Sequence, residues 1–256
     1  MLGRTPQAIR GTFDPGSTMR NGLPGSRNTQ RKRARWKDIK IGTVNILSLS
    51  GKVEELIDFM EEKKIEILGL SETKWCGGGE KVLRLGYRLI WGGGREKKNG
   101  VAVIIRERMW GIVVEVVSGC KEEKIEDFLE ILDNQIDDAP IVVMGDLNAQ
   151  VGMGRTGCEE IIGPHGYGKR NKEGDCLIDF CRRNNLFVGN TWFRKKPSRK
   201  ITRYGWGDKH TKTLIDYVLI ECEYRRELID VTVMPEEEFG RDHRAVVFKM
   251  RVGALK

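Results

Sequence analysis

The sequence predicts an α+β fold in which helices cover the outer faces of β-sheets. Short apolar runs bounded by turn residues recur along most of the 256 residues, as they do in strands. Between these runs, two stretches place apolar residues three and four positions apart, the spacing of an amphipathic helix. The length suits one large domain or two small ones and is sufficient for a sizeable core.

The first predicted element is a strand over 39–46 (IKIGTVNI), after which Gly51 opens a helix. The apolar face of this helix is formed by Val53, Leu56, Ile57 and Met60. A second strand follows at 65–70 (IEILGL). Three further strands are expected at 87–91, 101–106 and 112–117, and the first two flank a glycine-rich turn.

The second half of the chain begins with another helix, whose apolar face is formed by Ile125, Phe128, Leu129, Leu132 and Ile136. The run at 141–145 (IVVMG) is apolar throughout, which is typical of a strand buried on both faces. A third helix is predicted over 175–183. The remaining strands are expected near 186–190, 214–221, 228–233 and 244–251. This order of elements predicts sheets covered by helices.

Residues 1–38 read as a separate basic tail. The first 40 residues contain ten Lys or Arg and two Asp, which accounts for the net charge of +8 of the whole chain. The tail is rich in Gly, Ser, Asn and Pro and has no apolar periodicity, so we expect it to be disordered. Its basic cluster at 31–35 is typical of a nuclear-import signal or a phosphate-binding arm, and a solvated leader without a partner is the third interpretation. We expect a nuclear protein, otherwise a cytoplasmic one, with its folded domain over 39–252.

Composition excludes two classes of protein. No stretch approaches the roughly 18 consecutive apolar residues of a membrane-spanning helix, so no membrane partner is expected. The six cysteines are irregularly spaced without a C-x-x-C pair, which argues against a disulfide framework and against a Cys-based zinc site. Reduced thiols in a nuclear or cytoplasmic protein fit this pattern better.

A second basic region lies inside the otherwise neutral body of the chain. Residues 169–212 contain thirteen Lys or Arg and four acidic residues, together with Trp192, Phe193, Tyr204 and Trp206. Basic side chains beside aromatic rings are typical of surfaces that bind a nucleic-acid backbone. Uneven charge is common in globular proteins, so this region predicts nucleic-acid binding only together with a catalytic site.

Polar side chains end, interrupt or directly precede several of the predicted apolar runs. They are, in chain order, Asn45, Glu72, Asp146, Asn148, Asp216, Asp242 and His243. Each could be a turn, cap or surface residue, but a carboxylate such as Asp216 among apolar neighbours is costly without a partner. Carboxylate and amide oxygens are ligands that Mg²⁺ or Mn²⁺ prefers, and a His beside an Asp can act as a base. Together these residues predict metal-assisted hydrolysis of a phosphate ester.

Five ordered motifs resemble the exonuclease-endonuclease-phosphatase (DNase I-like) superfamily. They are GTVN (42–45), LSETKW (70–75), GDLN (145–148), LIDY (214–217) and DHR (242–244). The sequence most resembles endonuclease domains of non-LTR retrotransposons and the craniofacial development protein 2-like proteins, over about 39–252. This resemblance implies a four-layer α/β/β/α sandwich with an active site in a cleft at one end of the sheets.

The resemblance also implies a metal site and a base. Glu72 would bind the catalytic Mg²⁺ or Mn²⁺, with Asn45 beside it and Asp242 shaping the surroundings of the metal and the histidine. Asp216 and His243 would orient the attacking water and accept or stabilise its proton.

Contacts to the substrate are implied in the same way. Asp146 and Asn148 would contact the scissile phosphate, and the choice between Asp146 and His243 as the base stays open. The expected substrate-binding residues in the basic region are Arg170, Asn171, Trp192 and Trp206.

One segment typical of the superfamily is missing. Its members carry a central strand that ends in a Tyr-x-Pro motif, and the Tyr contacts the phosphate. Here no Tyr lies between Tyr87 and Tyr167, and VVEVV (113–117) runs almost directly into the second helix. We therefore expect a sandwich that lacks some central strands, with lowered stability and weak or absent activity.

Three functions remain in competition. The leading hypothesis is Mg²⁺-dependent hydrolysis of phosphodiester bonds in DNA by a monomeric nuclease. A phosphatase of the same superfamily would use the same motifs, although the basic regions favour nucleic acid as the substrate. The third is a catalytically inactive, retroelement-derived protein that binds nucleic acid or chromatin.

Overall fold

Two large β-sheets and three α-helices form the described part of the structure, which is a computed structural model. It describes residues 7–12, 37–95, 99–110, 113–118, 125–134, 141–205, 211–236, 239–240 and 242–252. Within these ranges, no helix is both long enough and apolar enough to cross a membrane.

The described elements have the following bounds. The helices are α1 (Val53–Lys63), α2 (Ile125–Asp133) and α3 (Lys172–Arg183). The strands are β1 (Gln7–Thr12), β2 (Lys37–Asn45), β3 (Ile67–Ser71), β4 (Gly78–Val82), β5 (Arg88–Gly92), β6 (Val101–Ile105), β7 (Val113–Ser118), β8 (Ile141–Asp146), β9 (Leu186–Val188), β10 (Arg203–Tyr204), β11 (Lys212–Thr213), β12 (Asp216–Glu221), β13 (Leu228–Met234) and β14 (Ala245–Val252).

The larger sheet has seven strands in the order β13-β14-β2-β3-β6-β5-β4. β2 and β3 are parallel and are connected through α1, whereas the other neighbouring strands of this sheet are antiparallel. β4 was not predicted, because Gly78 and Gly79 give it no apolar pattern. It pairs with β5 at the edge of the sheet, where backbone hydrogen bonds do not require buried side chains on both faces.

The smaller sheet has five strands in the order β7-β1-β8-β12-β9, and its second strand departs from our prediction. Gln7–Thr12 was expected to be disordered with the rest of 1–38, but it forms β1 between β7 and β8. All six residues of β1 pair with β7, and Ile9–Thr12 also pair with β8. The prediction is therefore wrong for these residues, because backbone pairing on two sides compensates for the missing apolar pattern. The basic cluster at 31–35 lies outside the described residues.

The main core lies between the two sheets. Ile41 and Phe248 of the larger sheet pack in one cluster with Met144, Val218 and Ile220 of the smaller sheet. Burying a side chain of this size stabilises the fold by about 1.5–3 kcal/mol. The two sheets are therefore the inner layers of the molecule.

Helices cover the outer faces of both sheets. Val143, which points away from the inter-sheet core, packs with Phe128 of α2 and Leu177 of α3. On the other side, Leu56 of α1 packs with Leu68 of β3. The predicted four-layer α/β/β/α arrangement and the burial of both faces of β8 are thereby confirmed.

Candidate active site

Five polar residues meet where strands of the two sheets end. β2 ends at Asn45, and the parallel strand β3 ends just before Glu72 at the same edge. β14 runs antiparallel to β2, so its start, two residues after His243, lies at this edge as well. In the smaller sheet, Asp146 at the end of β8 pairs with Asp216 at the start of β12. The sheet topology thus places together residues that are distant in sequence.

His243 lies between the carboxylates of Asp216 and Asp146. Its Nδ1 is 3.0 Å from Asp216 Oδ2, and its Nε2 is 3.7 Å from Asp146 Oδ2. Ligating atoms of the three residues lie within 4.8 Å of one another, and all three residues are buried. A carboxylate at one ring nitrogen selects the tautomer, so Nδ1–H donates to Asp216 and Nε2 is directed toward Asp146.

The buried charges shift each other's pKa values. Burial and, to a smaller extent, repulsion from Asp216 raise the pKa of Asp146 to about 7, against the opposing effects of His243 and of a hydrogen bond from Asn45. Burial alone would lower the pKa of His243, but attraction to Asp216 and Asp146 outweighs burial and raises it to about 9. At neutral pH the metal-free protein therefore holds a proton between the imidazole and the carboxylates.

Asn45 connects Glu72 to this buried group. Its Nδ2 donates to Glu72 Oε1 at 2.9 Å and to Asp146 Oδ2 at 3.1 Å. Asn45 is buried, whereas Glu72 is partly exposed. Glu72 has a φ of 57°, and this left-handed conformation turns the chain sharply as it leaves β3. The carboxylates of Glu72 and Asp146 consequently share one donor, with Glu72 nearer to solvent.

The donor set of this site fits a divalent cation. Carboxylate oxygens of Glu72 and Asp146 lie around one amide, and Asp216 adds a third carboxylate near His243. Oxygen ligands of this kind suit Mg²⁺ and Mn²⁺. A cation would also offset the negative charge that raises the pKa of Asp146.

Two buried residues that sequence reasoning did not assign hold Asp216 in place. Asn190 Nδ2 donates to Asp216 O at 3.1 Å, and Asn190 Oδ1 accepts from Val218 N–H at 2.9 Å. Thr202 Oγ1 accepts from the backbone N–H of Ile215 and of Asp216, at 3.0 and 3.2 Å. Asn190 stands in GNTWF (189–193), which contributed to the resemblance but indicated no role for this side chain.

The loop after β8 is held by a turn and by the start of α3. Asn148 N–H donates to Asp146 Oδ1 at 3.1 Å. Asn171 Oδ1 accepts from Gln150 N–H at 2.8 Å and from Gly174 N–H at 2.9 Å, so it caps α3 while it binds the loop. A Cβ at Gly174 would lie 1.9 Å from Gln150 O, which explains the glycine in KRNKEG. The predicted phosphate contact of Asn171 stays a prediction, since its oxygen serves the backbone.

The other predicted substrate-binding residues make internal contacts. Arg170 Nε donates to Val151 O at 3.0 Å. The ring of Trp192 is partly buried against the inter-sheet core, and the guanidinium carbon of Arg225 lies over it, 4.1 Å from the ring centroid. Trp206 lies outside the described residues. The structure therefore does not bring Arg170 or Trp192 into contact with the buried carboxylate group.

Asp242 is buried and lies next to His243 in the sequence, but it does not belong to the group formed by Asp146, Asp216 and His243. Its Oδ2 accepts a hydrogen bond from Arg203 Nε at 3.3 Å. Arg203 also forms an isolated β-bridge with His243. The sequence did not single out Arg203 from the other residues of the basic region. Its contacts with Asp242 and His243 form only because the short β10–β11 hairpin meets the start of β14.

Similarity to known proteins agrees with this geometry. The model of the Endonuclease/Exonuclease/phosphatase family matches residues 42–221, well over half of the chain. The chain belongs to this family. The matched range includes Asn45, Glu72, Asp146 and Asp216, and His243 follows it.

The chain is also similar to curated proteins along most of its length. Craniofacial development protein 2 from Tragulus javanicus is 26% identical over 302 residues, which cover 96% of this chain and 51% of the relative. The chain spans about half the length of the curated relatives it matches. The match extends over 302 positions, which is more than the 256 residues of this chain. The relative therefore carries positions inside the match that this chain lacks.

Two solved structures of nucleases have the same fold. The 3'-5' exonuclease NExo from Neisseria meningitidis has a TM-score of 0.61 and 18% identity, covering 83% of this chain and 99% of its own. The endonuclease domain of TRAS1, a telomere-specific non-LTR retrotransposon, has a TM-score of 0.56 and 15% identity, covering 84% and 99%. The predicted resemblance to a DNase I-like fold and to retrotransposon endonuclease domains is confirmed.

Proposed function

We propose that this chain hydrolyses phosphodiester bonds in DNA with a bound divalent cation, Mg²⁺ or Mn²⁺. The observation that carries this proposal is the buried Asp146–His243–Asp216 group, which Asn45 links to the partly exposed Glu72. A histidine held between two carboxylates is suited to moving a proton, and adjacent carboxylate oxygens are suited to a hard cation. The fold shared with two nucleases supports DNA as the substrate.

Each residue of the site has a distinct task in this reaction. Glu72 is the main candidate metal ligand, with Asn45 beside it and Asp242 close by. A bound cation would offset the charge that develops on the phosphate. A bound cation would offset the carboxylate charges that keep His243 protonated, and Nε2 would then accept the proton of the attacking water while Asp216 stabilises the resulting imidazolium through Nδ1–H.

The loop after β8 faces the phosphate in this proposal. Asn148 donates its side-chain amide to a phosphate oxygen, while its backbone N–H orients Asp146. Asp146 stays close to His243 Nε2 and can share the transferred proton. These tasks require a rigid loop, which the contacts of Asn171 and Gly174 with Gln150 provide.

Nicking of supercoiled plasmid DNA tests the proposal. The unmodified protein should convert supercoiled to open-circular plasmid with Mg²⁺ and not with EDTA. His243→Gln removes the general base, and we expect a loss of about 10²–10⁴-fold. Glu72→Gln should also abolish nicking, whereas Glu107→Gln, which alters an exposed carboxylate, should not. Metal-independent nicking, or equal rates in unmodified protein and His243→Gln, would exclude this mechanism.

A second candidate, a nucleic-acid-binding protein without turnover, is favoured by one observation. The Tyr-x-Pro segment is missing from this sequence, and the Tragulus relative carries positions inside the match that this chain lacks. The Tyr87 hydroxyl donates to Glu61, and the Tyr217 hydroxyl donates to Leu214 O. Neither hydroxyl therefore takes the place of the tyrosine of the missing Tyr-x-Pro motif. One lost transition-state donor typically costs ~10²–10³-fold in rate, so we expect slow nicking.

Parallel assays separate the candidates. DNA binding in a gel shift without any nicking would favour the second candidate, and release of phosphate from a 3'-phosphorylated oligonucleotide without nicking would favour a phosphatase. Light scattering tests the further expectation of a monomer. Fluorescence microscopy of a tagged chain with and without the 31–35 cluster tests nuclear localisation.

A further inference from the structure

A second feature begins two residues beyond the candidate metal residue. A cleft of about 470 Å³ is lined by Ser48, Ser50, Lys74, Trp75, Cys76 and Trp91. This volume lies within the roughly 300–1,000 Å³ of typical ligand pockets. None of these residues has a role in the hydrolysis proposed above, so the cleft needs its own explanation.

The two loops that line the cleft start at the candidate active site. One loop follows Asn45 at the end of β2 and leads to the two serines, and the other follows Glu72 and leads to Lys74 and Trp75. Neighbouring Cα atoms are 3.8 Å apart, so the Cα of Lys74 lies within about 8 Å of that of Glu72. One side of the cleft is therefore close along the chain to the candidate metal residue, and we expect one DNA strand to reach both.

Two tryptophans form the apolar part of the cleft. The rings of Trp75 and Trp91 meet edge to face, with centroids 5.2 Å apart and an interplanar angle of 88°. Trp75 Nε1 donates to Ser50 Oγ at 3.4 Å, and the ring of Trp91 lies over Gly79, where a Cβ would be 2.5 Å from it. Both rings remain partly exposed, so aromatic surface is available to a planar ligand.

The loop that carries Trp75 is anchored before any ligand binds. Thr73 N–H donates to Gly100 O at 3.0 Å, and Lys74 N–H donates to Asn99 O at 2.7 Å. A Cβ at Gly93 would lie 1.9 Å from Trp75 O, so this glycine permits the close approach of the loop to the end of β5. Preorganised aromatic side chains lose little conformational freedom on binding.

The charge of the cleft selects the kind of ligand. Lys74 is exposed, and within the described residues no ion pair involves its ammonium group. A cation beside aromatic faces and serine hydroxyls suits a ligand that combines a planar ring with a phosphate. A cationic ligand would be repelled by the lysine, and a purely apolar ligand would make no use of its charge.

We propose that the Trp75–Trp91 cleft binds one unstacked nucleobase of the DNA strand next to the phosphate that is cleaved. This inference rests on the proposed function, because the proximity of Glu72 makes the same strand the natural ligand. Lys74 binds the adjacent phosphate, and the indole rings stack on or against the base. Substrates with an unpaired base near the cleavage position should therefore bind more tightly than fully paired duplexes.

Binding to a single-stranded oligonucleotide that contains 2-aminopurine tests the cleft in EDTA, where no cleavage occurs. Trp75→Leu removes the aromatic face, and we expect affinity to fall roughly 5- to 150-fold, whereas Trp75→Phe retains most of it. The quenching of 2-aminopurine should disappear with Trp75→Leu. Lys74→Gln, at an exposed position that does not threaten folding, should reduce the salt dependence by about 0.7 in log–log slope.

The outcomes separate this inference from the proposed function. Equal affinities of Trp75→Leu and Trp75→Phe, an unchanged salt slope in Lys74→Gln, or equal affinity for unpaired and paired DNA would each overturn the inference while Mg²⁺-dependent nicking could persist. Conversely, DNA binding that depends on Trp75, without any nicking, would refute the proposed hydrolysis and support the nucleobase site. If the oligonucleotide does not bind at all, the inference is also rejected.

Discussion

Replacement of Arg10 by Pro tests the most unexpected part of the fold, the insertion of β1 into the smaller sheet. Arg10 lies opposite Glu115 of β7 and opposite Val143 of β8. Its backbone N–H points to one of these neighbours, since successive N–H groups of a strand alternate between its two sides. Proline has no N–H, so the substitution removes one ladder hydrogen bond in the middle of a sheet.

The expected effect can be estimated from that single bond. A buried backbone acceptor left unpaired costs about 1–3 kcal/mol. A domain of 150–250 residues loses about 2–4 °C of Tm per kcal/mol, so Arg10→Pro should lower the Tm by about 2–12 °C. Arg10→Ala is the matched control, because it removes the same charge and retains the N–H.

Thermal unfolding followed by circular dichroism, together with hydrogen exchange of the β8 amides, measures this effect. Arg10→Pro should melt below Arg10→Ala and should exchange the β8 amides faster. If the two variants melt within 1 °C of each other and exchange alike, β1 does not pair in the sheet. The original expectation of a disordered tail would then hold for residues 7–12.

Four further predictions concern the site and the tail. Mg²⁺ at 100 times its Kd should stabilise the native protein by about 2.7 kcal/mol in thermal melts, and Glu72→Gln should abolish this shift. Gly174→Ala forces a Cβ against Gln150 O and should cost about 1–3 kcal/mol and slow nicking, because the loop after β8 must move. Asn190→Ala should cost about 2–6 kcal/mol in urea unfolding, since two backbone groups of β12 lose their partners. Replacing the basic residues of 31–35 by Ser should flatten the salt dependence of DNA binding without lowering the Tm.

Three of these predictions have a control variant, and each of the four has an opposing result. Glu107→Gln should keep the Mg²⁺ shift, and a shift retained by Glu72→Gln would remove Glu72 from the metal site. Glu173→Ala is the control for Gly174→Ala, and Asn134→Ala is the control for Asn190→Ala. Both control variants should unfold like the unmodified protein. If they lose as much stability as the variants at Gly174 and Asn190, those losses are not specific to the contacts described. A salt slope that is unchanged by the serine replacements would show that the 31–35 cluster contacts no phosphate.

The residues of the candidate site were predictable because their signal is local. Asn45, Glu72 and Asp146 each follow an apolar run, and Asp216 interrupts one, so each is conspicuous without knowledge of its neighbours in space. Their apolar runs form strands for the same local reason. The layer order needed the resemblance in addition, because periodicity identifies a buried face but not the element that covers it.

The supporting contacts were not predictable from the residues that make them. Asn190 and Thr202 are ordinary polar residues in the sequence, and only the fold brings them to the backbone beside Asp216. The basic region predicted a nucleic-acid surface, yet Arg170 bonds to Val151 O. Charge and residue type say what a side chain can bind, whereas its partner depends on the path of a distant segment.

The basic tail shows most clearly which properties the sequence determines and which depend on the tertiary structure. Composition alone determined that the first 40 residues carry the whole excess of positive charge and that the tail over 1–38 has no apolar periodicity, and it indicated disorder. Whether a short segment such as Gln7–Thr12 forms a strand depends on open backbone donors and acceptors on its neighbours, here β7 and β8. Any residue except proline can supply the matching N–H and C=O groups, so this pairing leaves no mark in the sequence and is decided by the tertiary structure.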